Sequence, residues 1–164
     1  LVLYRIGAGQ YAPDLAEHDV EEVLEECVLE NQGLLAAKGI EIEMDAEPGL
    51  DWFFDRALVA SVLNSMVNNA YKYTRDRIRL SAERTGEGFL CLAVAENGGG
   101  YPPALLCSDP AAPCGIDAAQ GGTGLGLYFA ATIAALHRHR GRSGYVTTSN
   151  DGIDGGGCFR LFLP

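Results

Sequence analysis

The 164-residue sequence lacks several features that would place it in well-known protein classes. It contains no apolar run of eighteen or more residues and no signal peptide, which excludes a predicted membrane-spanning helix. It has no internal repeat and no low-complexity linker. Basic residues are scarce, with 12 Lys and Arg against 22 Asp and Glu, for a net charge of -10. Such an acidic chain has no electrostatic footprint for nucleic acid or for an anionic membrane.

Cysteines are few and are not arranged as metal ligands. The five cysteines are odd in number and widely spaced, without a CxxC pair or a Cys/His cluster. This pattern indicates a reducing, cytoplasmic-type compartment. Cys107 and Cys114 are near enough in sequence to pair or to share a metal, but their spacing alone favours neither. The chain opens at "LVLYRIGAGQ" without an initiator Met, so we expect it to be a piece of a longer protein.

The hydrophobic pattern predicts one α+β domain with 48% apolar residues. Strands are expected in hairpin-like pairs between helices rather than in strict βαβ alternation. This order favours a two-layer sandwich, with about three long helices on one face of a mixed sheet, over a doubly wound parallel sheet. The expected helices are 20–38, 55–74 and 125–139, the expected strands are 40–47, 50–54, 77–85, 89–95, 145–149 and 158–163, and 102–123 is expected to be a loop.

The second helix carries polar residues beside its apolar stripe. Asn69, Lys72 and Tyr73 stand at i, i+3 and i+4, so they can contact one ligand together. An Asn carbonyl suits a hard cation such as Mg²⁺, Lys offers charge to a phosphate, and Tyr offers a ring face to a base. A solvated helix face is the alternative that this spacing leaves open.

Two glycine-rich segments also indicate a ligand. In "ENGGGYP", an apolar strand runs into Glu96 and three glycines, which is unfavourable unless the carboxylate is paired and the backbone approaches something closely. In "GGTGLGL", glycines lead directly into an apolar helix, an arrangement that exposes backbone N–H groups to an anion. No Lys-Ser/Thr follows, so this is not a P-loop, and a flexible hinge is the alternative.

In this order, "NNAYKYT", "ENGGGYP" and "GGTGLGLYFA" resemble the N, G1 and G2 boxes of the GHKL ATPase family. Within it, "NAYKYT", "GTGLGL" and the closing "GGGCFRLFLP" resemble the catalytic ATP-binding domain of bacterial sensor histidine kinases. The resemblance covers nearly the whole chain and implies the Bergerat fold of that family. It implies a protein histidine kinase domain that uses Mg·ATP to phosphorylate a histidine outside this sequence.

The resemblance implies a role for each matching position. Asn69 would hold Mg²⁺ and Lys72 would contact phosphate, the two catalytic assignments, while Tyr73 would pack near the base. Glu96 would accept a hydrogen bond from the adenine amino group. The remaining positions would bring backbone close to the nucleotide or cradle its phosphates: Gly98, Gly100, Gly122, Thr123, Gly124, Leu125 and Gly126.

The resemblance also implies an organisation and partners. Residues 1–19 would be the exit from dimerisation helices, 20–164 the catalytic domain, and about 102–123 the ATP lid. The expected partners are ATP and ADP, the parent's own dimerisation and phosphoacceptor domain, and a response regulator, but no nucleic acid. We expect a cytoplasmic domain that is monomeric alone, within a homodimeric, membrane-anchored parent.

Four departures from the family pattern leave two alternatives open. Ser65 replaces an Asn of the N box, Glu96 replaces an Asp, Cys158 replaces a Thr that helps bind adenine, and the loop 102–123 lacks a Phe-rich box. The alternatives are a degenerate, non-enzymatic docking module and another GHKL enzyme such as an anti-sigma serine kinase.

The remaining histidines and the tryptophan are not expected to take part in the chemistry. We expect His18 in an exposed connecting loop rather than as a phosphoacceptor. His137 and His139 would end the third helix, where partial positive charge suits the helix dipole, and we expect them to be structural or exposed. Trp52 is expected in the core.

Overall fold

A five-stranded mixed sheet is the framework of the protein in the computed structural model, which describes residues 2–9, 11–108 and 123–164. Within these ranges the helices and strands follow one another along the chain. They are α1 (Val2–Gly7), β1 (Ala16–Asp19), α2 (Val20–Ala37), β2 (Glu41–Ala46), β3 (Asp51–Phe54), α3 (Arg56–Tyr73), β4 (Arg77–Arg84), β5 (Leu90–Glu96), α4 (Thr123–Leu136), β6 (Arg138–His139), β7 (Arg142–Ser143), β8 (Tyr145–Ser149) and β9 (Cys158–Leu163).

The sheet has the strand order β2-β4-β5-β9-β8. Strands β2 and β4 are parallel, and the other neighbours are antiparallel. Strand β1 pairs with β3 in a separate two-stranded sheet, and β6 pairs with β7 in a short hairpin. The expectation of an α+β fold with a mixed sheet and three long helices is therefore confirmed.

The core lies between the long helices and one face of the sheet. Strand β4 shows why, because its apolar residues alternate with polar ones and Ile78, Leu80 and Ala82 are the buried set. Helix α3 packs against this face with an apolar stripe at helical spacing, in which Val59 and Leu63 have no exposed surface. The central strand β5 is buried along most of its length.

One buried histidine links the end of α4 to the start of α3. Helix α4 ends at Leu136, and His137 Nε2 accepts a hydrogen bond from the Asp55 N–H at 3.1 Å. Asp55 also caps α3, since its Oδ1 accepts from the Leu58 N–H at 3.0 Å. Burial lowers the pKa of His137. The expectation that this helix continues to His139 is therefore wrong, and so is a charged state for the buried His137. The expectation that these histidines are structural or exposed is confirmed, because His137 is a buried link and His139 is exposed in β6.

Residues 11–19 differ from the expected loop. His18 lies in β1 opposite Trp52, half-buried, with its ring centroid 5.2 Å from that of Phe54. Asp55 Oδ2 accepts a hydrogen bond from the Asp14 N–H at 2.9 Å, which fastens this segment to the start of α3. The expected exposed loop position of His18 is therefore wrong, whereas Trp52 packs against the core as expected.

The loop expected over 102–123 is only partly described, because residues 109–122 lie outside the described ranges. Its first part forms a 3-10 turn, Pro103–Leu105, and Cys107 then makes a β-bridge to Thr148. Cys107 is disulfide-bonded, which the reducing-compartment expectation did not include, while Cys27, Cys91 and Cys158 are free and buried. Among the helices in the described residues, none is long and apolar enough to cross a membrane.

Candidate functional site

A small, largely apolar cavity lies between α3 and the end of β5. It encloses about 130 Å³, and its polar groups come from Asn69, Tyr73 and Glu96. Its apolar wall combines residues of α3, of β5 and of the segment that follows the glycines: Met66, Ala70, Val94, Tyr101, Pro102 and Leu105. A concave, mostly apolar space with a few polar groups is the usual form of a small-molecule binding site.

A larger and more open cleft of about 600 Å³ adjoins this cavity between α3 and α4. Lys72 supplies a cation to its lining. Most of the other polar groups are amides and hydroxyls from successive turns of α3: Ser61, Asn64, Ser65, Asn68 and Asn69. Asn69 lines both the cavity and the cleft. Its side chain therefore lies at the boundary between the apolar cavity and the polar cleft.

Glu96 is buried at the end of β5, with 6% of its surface exposed. Its Oε1 accepts a hydrogen bond from the Gly157 N–H at 2.6 Å, and its Oε2 accepts one from the Gly98 N–H. Two backbone donors thus offset the loss of hydration that burial imposes on a carboxylate. Because each carboxylate oxygen has two acceptor sites, Glu96 can still accept a hydrogen bond from a ligand in the cavity.

Asn97 fixes the end of α3 to this turn. Its Oδ1 accepts hydrogen bonds from the N–H groups of Arg75, Asp76 and Arg77, at 3.0 to 3.2 Å, and from the Thr74 hydroxyl at 3.0 Å. Its Nδ2 donates to Asp76 Oδ1 at 2.6 Å. The side chain is 2% exposed. Since Tyr73 ends α3 one residue before this group, Asn97 sets where α3 stands relative to Glu96.

At two glycines of the turn that follows Glu96, a side chain would collide with the protein itself. A Cβ on Gly98 would lie 1.9 Å from the carbonyl oxygen of Tyr73, so any side chain there would force α3 and the turn apart. Gly100 has φ +78, and a Cβ would meet Asn150 Oδ1 at 2.5 Å. Packing within the protein therefore requires glycine at both positions.

Asn150, in the connection between β8 and β9, holds the wall of the cavity from the other side. Its Oδ1 accepts from the Tyr101 N–H at 2.7 Å, and its Nδ2 donates to the Tyr101 carbonyl at 3.0 Å. Thr148 then bonds the Cys107 N–H at 2.9 Å through its hydroxyl. Burial raises the pKa of Tyr101, whose ring faces the cavity. The apolar wall is therefore fastened to the sheet at both ends.

Helix α4 approaches α3 closely at Gly126. A Cβ there would lie 3.2 Å from Asn69 Nδ2 and 3.4 Å from Ser65 Oγ, so glycine permits the two helices to meet at the polar line of α3. Leu125, beside it, is 52% exposed and lines the open cleft. Helix α4 thus begins next to Asn69, with its first residues directed towards the cleft.

The structure brings together most of the predicted site residues. Asn69, Tyr73, Glu96 and Gly100 line the cavity, and Lys72, Leu125 and Gly126 line the cleft beside Asn69. Gly98 lies behind the cavity against Tyr73. Gly124 is buried in the first turn of α4, Thr123 begins that helix, and Gly122 lies outside the described residues.

Cys158 does not line the cavity. It pairs with Ala95 in the sheet, and side chains of successive strand residues alternate between faces, so Cys158 lies on the face opposite Val94. In the described residues, no group of three or more His, Cys, Asp or Glu side chains is arranged to hold a metal ion. A Mg²⁺ ion here would depend on ligand oxygens in addition to the Asn69 amide.

Several residues of the site were not predicted. Tyr101, Pro102 and Leu105 directly follow the glycines, and their apolar character was the signal that could have placed them in the wall. Asn97 and Asn150 act through backbone groups that are 20 or more residues away in sequence, so no local pattern marks them.

Comparison with known proteins adds a family and a fold. Residues 54–164 match the profile of the family described as histidine kinase-, DNA gyrase B-, and HSP90-like ATPase. The phosphate regulon sensor protein PhoR of Pseudomonas aeruginosa is 30% identical over 148 residues, covering 85% of this chain and 33% of that protein. The sensor-like histidine kinase SenX3 of Mycobacterium tuberculosis is 26% identical over 144 residues, covering 82% of this chain and 34% of its own length.

Among solved structures, full-length ShkA in complex with AMPPNP superposes with a TM-score of 0.76. The match has 24% sequence identity and covers 97% of this chain and 32% of that one. This likeness shows the fold. The chain spans about a third of the length of the two sequence relatives.

Proposed function

Because the chain belongs to the family of histidine kinase-, DNA gyrase B- and HSP90-like ATPases, we propose that it is the ATP-binding catalytic domain of a sensor histidine kinase. It binds Mg·ATP and presents the γ-phosphoryl group to a histidine elsewhere in the parent protein. The observation that carries this proposal is the position of Asn69, between an enclosed apolar cavity with one buried carboxylate and an open cleft lined by amides and Lys72.

The cavity suits the adenine base. Its wall of Val94, Tyr101 and Leu105 offers apolar contact to a planar ring. Glu96 is directed into this space with acceptor capacity left over after its two backbone hydrogen bonds. An exocyclic amino group is a donor, so the base gains a charge-assisted hydrogen bond there.

The open cleft suits the phosphates. The whole domain is acidic, so attraction for a polyanion must come from local donors rather than from net charge. Lys72 supplies one positive charge at the cleft, and the amides of Asn68 and Asn69 supply neutral donors and acceptors. The start of α4 adds backbone N–H groups at the positive end of a helix dipole.

Mg²⁺, when bound with the nucleotide, would neutralise phosphate charge and orient the γ-phosphoryl group for transfer. The amide oxygen of Asn69 is a suitable ligand for it, and Mg²⁺ sites commonly combine one or two protein oxygens with phosphate oxygens. The transfer itself forms a bond from a histidine nitrogen to Pγ and breaks the bond from Pγ to the bridging oxygen of ADP. Asn69 and Lys72 hold the phosphates in line for this exchange.

The organisation of the parent belongs to the same proposal. Residues 1–19 connect the domain, 20–164, to dimerisation helices that carry the phosphoacceptor histidine. The parent is a homodimer anchored in the membrane, with this domain in the cytoplasm, and its phosphohistidine serves a response regulator. The two sequence relatives are named as sensor proteins, which supports this arrangement over that of an anti-sigma serine kinase.

A second candidate is a degenerate domain that binds nucleotide weakly and works by docking. The specific observation in its favour is that both Glu96 oxygens already accept backbone hydrogen bonds, which lowers their need for a ligand. Titration with a fluorescent ATP analogue, with and without Mg²⁺, separates the two candidates. Saturable, Mg²⁺-dependent binding supports the catalytic domain, and no binding at millimolar nucleotide supports the docking module.

A further inference from the structure

A second concave surface lies at the other end of α4 from the nucleotide cleft. It has a volume of about 500 Å³, and we call it the hairpin cleft, because the β6–β7 hairpin contributes much of its lining. Its lining combines the apolar side chains of Leu15, Trp52 and Phe53 with three arginines, Arg138, Arg140 and Arg142. Along α4, Phe129 of the nucleotide cleft and His137 of the hairpin cleft are eight residues apart, about 12 Å at 1.5 Å per residue.

The hairpin cleft concentrates positive charge in an acidic protein. Arg138, Arg140 and Arg142 stand within five residues, in a chain with only 12 Lys and Arg and a net charge of -10. In the described part of the chain, the ion pairs involve four other arginines and none of these three. Among the described residues, Asp51 is the one carboxylate side chain in the lining. The charge at this surface is therefore only partly offset.

Among the residues that the structure describes, the hydrogen bonds of two of these arginines go to backbone carbonyls. Arg138 Nε donates to the Ala135 carbonyl at 3.3 Å, and Arg142 Nη2 donates to the Glu87 carbonyl at 2.7 Å. Such contacts hold the side chains in place without neutralising them. A guanidinium fixed in this way keeps donors for a carboxylate, which it binds in a bidentate manner.

Arg140 stands in an unfavourable backbone conformation. It has φ 49 and precedes Gly141 at φ +77, so the two form a hairpin turn in which Asn or Gly usually takes the first position. An arginine in the left-handed region is uncommon and is often found where a side chain serves a function. The turn places this side chain at the rim of the hairpin cleft.

Apolar side chains adjoin the arginines. Phe53 is 60% exposed and Leu15 is 43% exposed, and both line the same cleft beside the half-buried Trp52. Aromatic residues and arginine are enriched at the centres of protein–protein interfaces, where lysine and acidic residues are depleted. The composition of the hairpin cleft therefore matches that of a protein-binding surface.

We propose that the hairpin cleft docks an acidic segment of a partner protein, in which carboxylates flank an aromatic side chain. The carboxylates pair with Arg138 and Arg140, and the ring packs on the exposed Phe53. Charge complementarity selects an acidic occupant, and the exposed apolar residues select one with an apolar anchor. An anionic membrane is a poorer match, because the surface is concave and the surrounding domain is acidic.

The test uses a fluorescently labelled twelve-residue peptide in which Asp-Glu pairs flank one Phe, followed by fluorescence anisotropy. Two matched peptides replace the acids by Lys or the Phe by Gly. The main variant combines Arg138→Gln with Arg140→Gly, since glycine relieves the positive φ at position 140 and so protects the fold. Lys38→Gln is the charge-matched control, because the Lys38 ammonium lies over the Tyr71 ring at the end of α2.

The acidic Phe peptide is expected to bind saturably, and more weakly as salt is raised. Binding should fall at least tenfold in the double arginine variant, several-fold in Phe53→Thr and several-fold with the Phe-less peptide, and should not change in Lys38→Gln. Equal binding to the double arginine variant and the wild type would overturn the proposal, as would no binding at millimolar peptide. Tighter binding to phosphatidylserine vesicles than to the peptide would also overturn it.

Discussion

Glu96 and Gly157 are joined by two hydrogen bonds that run in opposite directions. The Glu96 N–H donates to the Gly157 carbonyl at 2.9 Å, and the Gly157 N–H donates to Glu96 Oε1 at 2.6 Å. The side chain that faces the cavity therefore also joins the end of β5 to the start of β9. Glu96 has a structural role and a proposed ligand role at the same time.

Substitution of Glu96 should affect both roles. Glu96→Ala leaves the N–H groups of Gly98 and Gly157 without their acceptor, so the free energy of unfolding should fall by about 2 kcal/mol in urea denaturation. Adenosine binding, followed by calorimetry, should become undetectable because the acceptor for the amino group is gone. Glu96→Asp is the matched control: it keeps the charge, but it is one methylene shorter and should give up one N–H contact, with smaller losses. Unchanged adenosine binding by Glu96→Ala would show that the stretch is only a turn.

The hydrogen bond from Asn97 to Asp76 can be tested by exchanging its donor and its acceptor. Asn97→Asp would place a second carboxylate where Nδ2 now lies 2.6 Å from Asp76 Oδ1, so the protein should lose about 2 kcal/mol of stability. Adding Asp76→Asn restores a donor opposite an acceptor and should recover most of that loss. Urea denaturation of the two single variants and the double variant measures the coupling. Additive losses would show that the Asn97–Asp76 contact is not formed in solution.

Gly126 can be compared with Gly33, another glycine inside a long helix. Alanine at Gly33 should add about 0.5–1 kcal/mol of stability through helix propensity, whereas at Gly126 the tight contacts of the new Cβ should offset that gain. At Gly33 nothing lies within 4 Å of the new Cβ, so ATP binding should not change. At Gly126 the methyl group meets Asn69 Nδ2 at 3.2 Å, so Mg·ATP affinity should fall several-fold. Equal ATP affinity in the two variants would show that the close contact between α3 and α4 at Gly126 does not affect nucleotide binding.

His137 predicts a pH dependence of stability. Burial lowers its pKa from the ordinary value of 6.5, so the unfolded state takes up a proton at a higher pH than the folded state does. The contribution of neutral His137 to the free energy of unfolding is therefore fully present well above pH 6.5, the unfolded value. It declines as the pH falls towards the pKa of the folded state.

His137→Gln should be less stable than the wild type at pH 7.5, because the Asp55 N–H loses its acceptor. It should also lose much of the decline that the wild type shows as the pH falls below about 6.5. His139→Gln, at an exposed position, should keep the wild-type profile. An unaltered decline in His137→Gln would assign the pH dependence to other groups.

The parts of the fold that could be predicted are those with a strong period. The apolar stripe of α3 and the alternation of β4 come from burial on one face, and both elements lie within a residue or two of their expected bounds. Strand β1 was missed because three of its four residues are exposed, so its pairing with β3 leaves no hydrophobic pattern. Helix α4 ends earlier than expected because residues 138–143 form a hairpin around Arg140 and Gly141.

The candidate site divides in the same way. Asn69, Glu96 and Gly126 stood out because polar or flexible residues occur where helix and strand patterns disfavour them. Asn97 and Asn150 had no such signal, since an Asn in a turn is common and its partners are known only after the chain has folded. The steric need for Gly98 was likewise hidden, because it depends on how closely the Tyr73 carbonyl approaches.

The most direct test of the nucleotide proposal is isothermal titration of ATP and of adenosine, with and without Mg²⁺, on the wild type and Asn69→Ala. Wild-type protein should bind ATP more tightly when Mg²⁺ is present. In Asn69→Ala, that gain in ATP affinity should be lost. The expected loss is about tenfold or more, because a hydrogen bond to a charged group contributes some 1.5 kcal/mol. Adenosine binding should stay near the wild-type value. If Asn69→Ala keeps the full Mg²⁺-dependent gain, the assignment of Asn69 to the metal and phosphates is wrong.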